Sequence, residues 1–391
     1  MSQSLHESAA RTGRPTSPGA LGGRVSRQSH RASPTWGTRI VALLAMANLA
    51  MVMFTSWLVW SVSERWWLGS VATYAPRELL LVSTGLLALV SLLWHRPSLL
   101  FHLFAGLWVI LGVVDWSLAP LMEPEHASRF IEETFDDDND PAPEPMTGRL
   151  RIASCNVQDY QPAFGDVLRD LEELPPDVVA FQESRSINPL CEDYFADWHK
   201  VQVEYFFVAS KWPLEVLGHC DDSPFERSSG LVVKVAHPEH PFALANIHLM
   251  TARPGLRELT PGSILRGDGP AELAALTLMR SEEMQQLRHF IENARNGLPL
   301  IVVGDFNTPA SSHVFQEAWG DLTGGFETAA IGPSHTAPCR PISFWPGTWP
   351  WSRIDHIRVT PEWKFHQFVT GDRNGSDHRL VACELELLPF D

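Results

Sequence analysis

Residues 301–308 read Ile-Val-Val-Gly-Asp-Phe-Asn-Thr. This apolar run ends in a carboxylate, Asp305, and an amide, Asn307, two residues apart and therefore on one face of a strand. Polar groups at the end of a buried strand cost stability unless something satisfies them. The pair therefore points to chemistry with phosphate and a metal. Downstream, Arg353-Ile354-Asp355-His356 and Ser376-Asp377-His378 repeat the pattern of an apolar approach followed by polar side chains. Upstream, Asn156, Glu183, and Asn246 with His248 close three further apolar runs. An oxygen-rich set of this kind suits a hard divalent cation such as Mg²⁺, with Mn²⁺ as the alternative. It does not suit structural zinc, which favours closed Cys and His sets. His335, His356 and His366 are expected to be core or surface histidines, since His356 alternates to the face opposite Asp355.

These side chains need strands to carry them. Val/Ile-rich runs bounded by turn residues predict strands near 149–155, 177–182, 203–209, 229–235, 242–248, 299–304, 353–359 and 380–387. Helical periodicity appears over 163–174 and 272–295, where Leu276, Met279, Met284, Leu287 and Ile291 recur near the helical spacing. Paired strands with helices outside them predict a layered α/β sandwich. Residues 251–270 read as a long Pro/Gly-bearing loop, a lid or substrate rim.

Taken in order, the motifs resemble the endonuclease/exonuclease/phosphatase superfamily, the fold shared by DNase I-like nucleases, abasic-site endonucleases, inositol polyphosphate 5-phosphatases and neutral sphingomyelinases. They are Ser154-Cys155-Asn156-Val157-Gln158, Gln182-Glu183, Asn246-Ile247-His248-Leu249, Gly304-Asp305-Phe306-Asn307, Ile354-Asp355-His356 and Ser376-Asp377-His378. The resemblance spans roughly 149–388 and implies a four-layer α/β sandwich of DNase I-like type. It further implies that Glu183, Asn156 and Asp377 hold the metal, that Asp305 orients or activates water, and that Asn307 fixes that water or the phosphate. His378 would contact the scissile phosphate with Asp355 behind its imidazole, and His248 would touch phosphate. Asn246 and Arg227 are candidate substrate contacts. The stretch Phe225–Gly230 departs from the nuclease pattern: Arg227 is either a phosphate clamp, with Glu226 paired to His248, or part of an exposed turn.

The N-terminal third has a different composition. Residues 1–38 read as a disordered basic tail carrying Arg11, Arg14, Arg24, Arg27 and Arg31. Apolar stretches at 40–62, 78–95 and 98–118 each approach the roughly 20 residues needed to cross a bilayer. They predict a three-helix transmembrane anchor over 39–120, with tryptophans toward the helix ends. Residues 121–148, with Asp136–Asp140 and a Pro-rich run, read as an acidic, stiff linker. The catalytic domain would occupy 149–391.

The basic tail is expected to stay in the cytoplasm, which puts the catalytic domain on the far side after three crossings. Arg65 and Arg77 between the first two helices weigh against that orientation. The chain carries a formal charge of −16, which argues against binding nucleic acid through a basic surface. Its five cysteines form no C-x-x-C, and a Cys191–Cys220 bridge is conceivable only outside the cytoplasm. Trp345, Trp349 and Trp351 are expected to pack a Pro-rich loop, or else to meet a bilayer or substrate. The expected function is a membrane-anchored, metal-dependent phosphoesterase acting on a phosphoester or pyrophosphate, by location a lipid-linked one. The alternatives are an extracytoplasmic endonuclease or exonuclease, and a catalytically inactive membrane scaffold.

Overall fold

The computed structural model describes residues 35–114, 116–119, 149–160, 164–186, 188–221, 223–340, 349–372 and 375–388. The basic tail up to residue 34, the linker 121–148 with Asp136–Asp140, and Trp345 lie outside the described residues. In chain order the strands begin with β1 (Ser117–Leu118), β2 (Arg149–Asn156), β3 (Val178–Gln182), β4 (His199–Val203), β5 (Phe206–Ser210), β6 (Leu214–Cys220) and β7 (Gly230–Val235). They continue with β8 (Phe242–His248), β9 (Leu300–Asp305), β10 (Thr323–Gly324), β11 (Ile331–Gly332), β12 (Asp355–Val359), β13 (Trp363–Thr370) and β14 (Val381–Leu387).

Two six-stranded mixed sheets, ordered β13-β14-β2-β3-β5-β4 and β10-β12-β9-β8-β7-β6, stack face to face. Each contains one parallel pair, β2/β3 in the first and β8/β9 in the second. Strand alternation sorts the side chains. Ile152, Val178, Leu244, Ile301, Val303 and Ile357 fill the space between the sheets, while Ala153, Val179, Ala245 and Val302 face outward. The outer faces are covered by helices, completing four layers of DNase I-like type.

Numbered in chain order, the helices are α1 (Trp36–Trp57), α2 (Trp67–Tyr74), α3 (Leu79–Trp94), α4 (Leu99–Trp108), α5 (Phe164–Glu173), α6 (Pro189–Tyr194) and α7 (Arg253–Arg257), then α8 (Pro261–Arg266), α9 (Asp268–Arg295), α10 (His313–Trp319) and α11 (Gly325–Ala329). Helices α5 and α6 cover the first sheet, burying Phe164, Val167, Leu171 and Cys191. Helices α9 and α10 cover the second with Met284, Leu287, Ile291, Val314 and Phe315.

Several expectations are corrected. The strand expected at 203–209 is β5 from Phe206 on, but residues 204–205 are the turn of a β4–β5 hairpin, with Glu204 in the left-handed region at φ 48°. Strands β6 and β13 escape the sequence reading because both lie at sheet edges. Half-exposed edges carry mixed polar residues rather than an apolar run. The segment 251–270 is not a loop. It forms α7, α8 and the start of α9, and its prolines sit in the first turns of α7 and α8 while Gly267 terminates α8 in a left-handed conformation. Thr260 and Ser263 cap α8 reciprocally. Pro and Gly here punctuate helices. All five cysteines are buried and free, and Cys191 and Cys220 lie under opposite outer faces of the sandwich, which rules out their bridge.

At the N-terminus, Trp36–Arg65 and Arg96–Val113 are each long and apolar enough to cross a membrane. The second expected span is a pair, α2 and α3, bent by 82°, and makes a third span only if the two are counted together. These helices are inverted relative to a water-soluble bundle. Leu86, Leu89, Leu93, Leu100, Leu103 and Leu107 point outward, while buried Asn48 bonds Thr84 (3.1 Å) and buried Ser91 meets His102 (3.0 Å) between helices. Polar groups inside and leucines outside fit a lipid surround.

Gly304 precedes Asp305 at φ +136°, and a Cβ there would sit 2.1 Å from the Ile247 carbonyl oxygen of β8. Because that neighbour is backbone, relief requires moving a strand. Gly304→Ala is therefore expected to destabilise the protein by about 2–3 kcal/mol, read as a lowered thermal midpoint of the detergent-solubilised chain.

Candidate active site

Register assembles the site. On β9, Asp305 lies opposite His248 of parallel β8 and opposite Asp355 of antiparallel β12. All three occupy positions of the face turned toward the other sheet, one step beyond the apolar core. On that other sheet Asn156 ends β2, and Gln182 ends β3 beside it. The two sheets thus deliver their polar ends to one mouth of the sandwich. Glu183 and Asn307, just past β3 and β9, adopt left-handed backbone (φ 54° and 50°). Non-glycine residues hold that conformation at a cost, and such positions cluster at functional sites.

Asp305 is buried and heavily bonded. Its Oδ1 accepts the Asn307 backbone N–H (2.8 Å), and its Oδ2 accepts from Asn307 Nδ2 (3.0 Å) and Asn156 Nδ2 (3.1 Å). Asn156 Nδ2 also donates to Glu183 Oε1 (3.0 Å), while its Oδ1 accepts the Gln158 N–H (3.0 Å). His248 Nε2 stands 3.6 Å from both Glu183 Oε1 and Asp305 Oδ2. On the other side, His378 Nδ1 lies 2.9 and 3.1 Å from the two Asp355 oxygens and its Nε2 is 3.7 Å from Asp305 Oδ2. Ser376 ties the loop bearing His378 to the end of β2 by donating to the Asn156 carbonyl (2.7 Å).

The two histidines differ in charge. Burial lowers the His378 imidazolium, but Asp355, Asp305 and Asp377 outweigh it and hold its pKa up at about 10. Burial, Arg227 and the charged His378 push His248 well below the usual histidine range, so it is neutral. For Asp305, burial drives the carboxyl above the usual carboxylate range and Asp355 adds to it, while His378 and the bonds from Asn156 and Asn307 pull it back.

These groups open into a cleft of about 210 Å³ lined by Glu183, Asp305, Asn307, Asp377, His248 and His378. Arg227, Met250, Thr251 and Arg253 line it as well. A surplus of carboxylate oxygen with no thiol, centred on a carboxyl that burial disfavours, fits a hard divalent cation. Asp305, Asp355 and His378 also bring one potential ligand atom each within 4.8 Å of one another. There, however, the charged imidazolium already stands between the two carboxylates, where it would repel a cation. The position that fits a cation is on the Glu183 side of Asp305.

The structure brings Asn156, Glu183, His248, Asp305, Asn307, Asp355, Asp377, His378 and Arg227 together and sets Asn246 apart. Asn246 is fully buried between the sheets, accepting from Gln182 Nε2 (2.7 Å) and donating to the Phe181 and Phe207 carbonyls (2.9 and 3.2 Å). It joins the sheets and does not reach the cleft. Asn307 differs from expectation too, because both its amide protons are committed, to Asp305 and to the Leu249 carbonyl (2.9 Å). It can offer water or phosphate only its oxygen. In the same way Asn156 meets the carboxylates with its nitrogen, which makes it a support for metal-binding groups in this arrangement. Arg227 is no exposed turn residue, since it bonds the His248 carbonyl (2.6 Å) and pairs with buried Glu283 (3.2 Å). His356 packs against Phe306 and Phe315 and reaches the Thr308 carbonyl (3.0 Å), outside the cleft.

Sequence reasoning missed Thr251 and Arg253, hidden in the supposed loop, and Arg280 and Glu283 on α9. A signal for Arg280 existed: it falls on the helix's buried stripe with Leu273, Met284, Leu287 and Ile291.

Comparison with known proteins follows the same outline. The model described as the Endonuclease/Exonuclease/phosphatase family matches residues 153–378. Among solved structures, a family protein from Leptotrichia buccalis is 14% identical, with 61% of this chain and 100% of that chain covered and a TM-score of 0.44. One from Bacteroides vulgatus is 16% identical, with 61% and 99% covered and the same TM-score of 0.44. D. rerio TDP2, complexed with a single strand DNA product, is 15% identical, with 61% and 99% covered and a TM-score of 0.43. No curated protein matches the chain.

Because Asp355 is what keeps His378 charged, Asp355→Asn is expected to lower the His378 pKa from about 10. The sign follows: a histidine raised by its partner contributes stability fully present below its unfolded pKa and lost as pH rises through its folded one. The variant's alkaline activity limb should move to lower pH, with a loss of about two to four orders of magnitude in rate at pH 8. Imidazole NMR titration and a kcat–pH profile would check both.

Proposed function

The chain belongs to the endonuclease/exonuclease/phosphatase family, and from that premise we propose that it is a membrane-anchored, Mg²⁺-dependent phosphoesterase whose catalytic domain lies outside the cytoplasm. The observation that carries this reading is the row of partly buried His248 with buried Asp305 and Asp355, with Glu183 on one flank and the Asp355–His378 pair on the other. Family members are phosphoric ester hydrolases, and the six motifs that carry the resemblance meet at this cleft. The domain plan follows the composition: basic tail to 38, anchor to 120, acidic linker to 148, catalytic domain beyond.

Glu183, with Asp305 and Asp377 nearby and Asn156 in support, would hold the cation, which would polarise a phosphate oxygen and offset charge developing there. The remaining work falls to the chain. His378, charged and held by Asp355, donates from Nε2 to a phosphate oxygen and stabilises the added negative charge of the transition state. Asp305 takes a hydrogen bond from the attacking water and orients it in line, with the Asn307 oxygen as a second acceptor. Neutral His248 supplies one further hydrogen bond to phosphate. Arg227 and Arg253 bring positive charge to the cleft lining, where the non-reacting part of an anionic substrate would lie.

A substrate at the membrane, a phospholipid headgroup or a polyprenyl phosphate or diphosphate, is supported by the apolar helices that precede the domain. DNA fits less well. From residue 149 onward the chain has 20 Lys and Arg against 33 Asp and Glu, a net of −13, which repels a polyanion. The orientation is supported by the Arg-rich tail, and the even number of crossings between loop and domain by Arg65, whose Nη2 is engaged with His313 of α10 (2.8 Å). A loop docked on the catalytic domain must share its side of the membrane.

The test is a panel of phospholipid, polyprenyl diphosphate, nucleotide and plasmid DNA, presented to the full chain in detergent with Mg²⁺ or EDTA. Hydrolysis of a lipid phosphoester is expected with Mg²⁺ only, falling by at least about a thousandfold in Asp305→Ala and His378→Ala. Variants that match wild type would overturn the assignment. Plasmid nicking without lipid hydrolysis would make the protein a nuclease. A reporter fused after residue 391 should be active only outside the cytoplasm.

A further inference from the structure

Helix α9 carries two buried charges one turn apart, and both grip the peptide that follows the catalytic strand β8. Glu283 accepts the Met250 N–H (2.8 Å), along with Ser223 Oγ (2.9 Å) and Arg227 Nη2 (3.2 Å). Arg280, 1% exposed, donates from Nε to the Met250 carbonyl (2.8 Å). Its Nη2 donates to the Asn307 carbonyl (3.2 Å) and to Thr308 Oγ1. One guanidinium thus fixes the two chain segments that place His248 and Asn307.

The remaining partner of Arg280 comes from the other end of the sequence. Its Nη1 donates to the Tyr74 hydroxyl (2.9 Å), and the guanidinium lies 5.5 Å from the Tyr74 ring centroid. Tyr74 passes its own proton to Glu64 Oε1 (3.0 Å), and Glu64 in turn accepts from Ser312 Oγ and from the His313 N–H (3.0 Å) at the start of α10. A buried guanidinium with no carboxylate in direct contact is costly unless its donors are satisfied. Here one side-chain route from Arg280 to a carboxylate, Glu64, runs through Tyr74, between the first two anchor helices. We propose that Tyr74 and Arg280 are positioning residues, and that the segment 63–78 between those helices is a working part of the active site, setting the backbone of Met250 and Asn307 from the membrane side.

The consequence for activity rests on reading the cleft as a phosphoester site; the structural coupling does not. Removing the Tyr74 hydroxyl takes one bond and the link to Glu64 from Arg280 while leaving the ring in place. Arg280 then holds the Met250 and Asn307 carbonyls less firmly. Geometry at Asp305 and His248 loosens, and the loss falls on the chemical step rather than on binding.

The experiment uses the full chain in detergent and the variants Tyr74→Phe, Arg280→Lys and Arg65→Gln. Bis(p-nitrophenyl) phosphate with Mg²⁺ is the probe, and hydrogen exchange of peptides covering 248–253 and 305–308 is the second readout. Tyr74→Phe is expected to lower kcat about tenfold, the scale of one charged hydrogen bond, with KM within about twofold. It should also speed exchange in both peptides, with Arg280→Lys showing a larger effect of the same kind. Arg65→Gln, which alters the same segment without touching Arg280, should leave both readouts at wild-type values. Unchanged exchange in Tyr74→Phe overturns the proposal, and so does an equal loss in Arg65→Gln, which would mean general undocking. If the wild type does not cleave the probe, the functional reading is in question while exchange still decides this one. If Arg280→Lys does not accumulate, Tyr74→Phe, which removes a single hydroxyl, decides alone.

Discussion

Burying the Asp305 carboxylate beside that of Asp355 is the constraint around which the molecule is arranged. A lone carboxylate in such a place would protonate, and two in adjacent register positions repel. The fold answers with donors on every side: a backbone N–H, two side-chain amides and an imidazolium converge on Asp305. What they leave uncompensated, the Glu183 carboxylate and part of the charge on Asp305, is what a divalent cation would neutralise. An enzyme for anionic esters needs this property: a site whose electrostatics are completed by metal and phosphate together.

Holding that arrangement falls to the layers around it. Between the sheets, Gln182 and Asn246 replace apolar contacts with a hydrogen-bonded amide pair just beneath the site, tying β3 to β8 where a slip would separate Asn156 from Asp305. Outside, α9 fixes the Met250 peptide through both its N–H and its carbonyl. Gly304 allows β9 to approach the Ile247 carbonyl closely enough for Asp305 and His248 to lie side by side. Each device spends stability or conformational freedom to hold one atom in place, and each lies within a few residues of a catalytic side chain.

The N-terminal helices follow the opposite rule for burial, with leucines outside and Asn48, Thr84, Ser91 and His102 inside. Arg65 and Arg77, which by charge alone argued against placing their segment outside the cytoplasm, lie against the catalytic domain at His313 and Ser311. Their presence there has a structural cause independent of topology signals. The N-terminal helices and the sandwich are therefore a packed unit in this structure, through Glu64, Tyr74 and Trp351, whose Nε1 donates to the Tyr74 carbonyl (3.2 Å).

The sequence by itself determined the family, the sandwich and most of the polar residues at the cleft, because strand alternation and local motif spacing are short-range properties written in consecutive residues. It also marked the apolar helices, since length and hydropathy are local. Only the tertiary structure decided what each polar group is bonded to. Asn246 belongs to the same motif as His248 yet turns between the sheets, because the neighbouring Gln182 arrives from a strand 64 positions away. Asn156 donates to two carboxylates, Asn307 donates to Asp305 and to the Leu249 carbonyl, Arg227 is held by Glu283, and 251–270 folds into helices whose prolines and glycine looked like loop signals. Arg280 is the clearest case. Its partners come from residues 74, 250, 307 and 308. Hydrogen-bond partnership is settled by which segments meet in space, and no pattern of neighbours along the chain encodes that meeting.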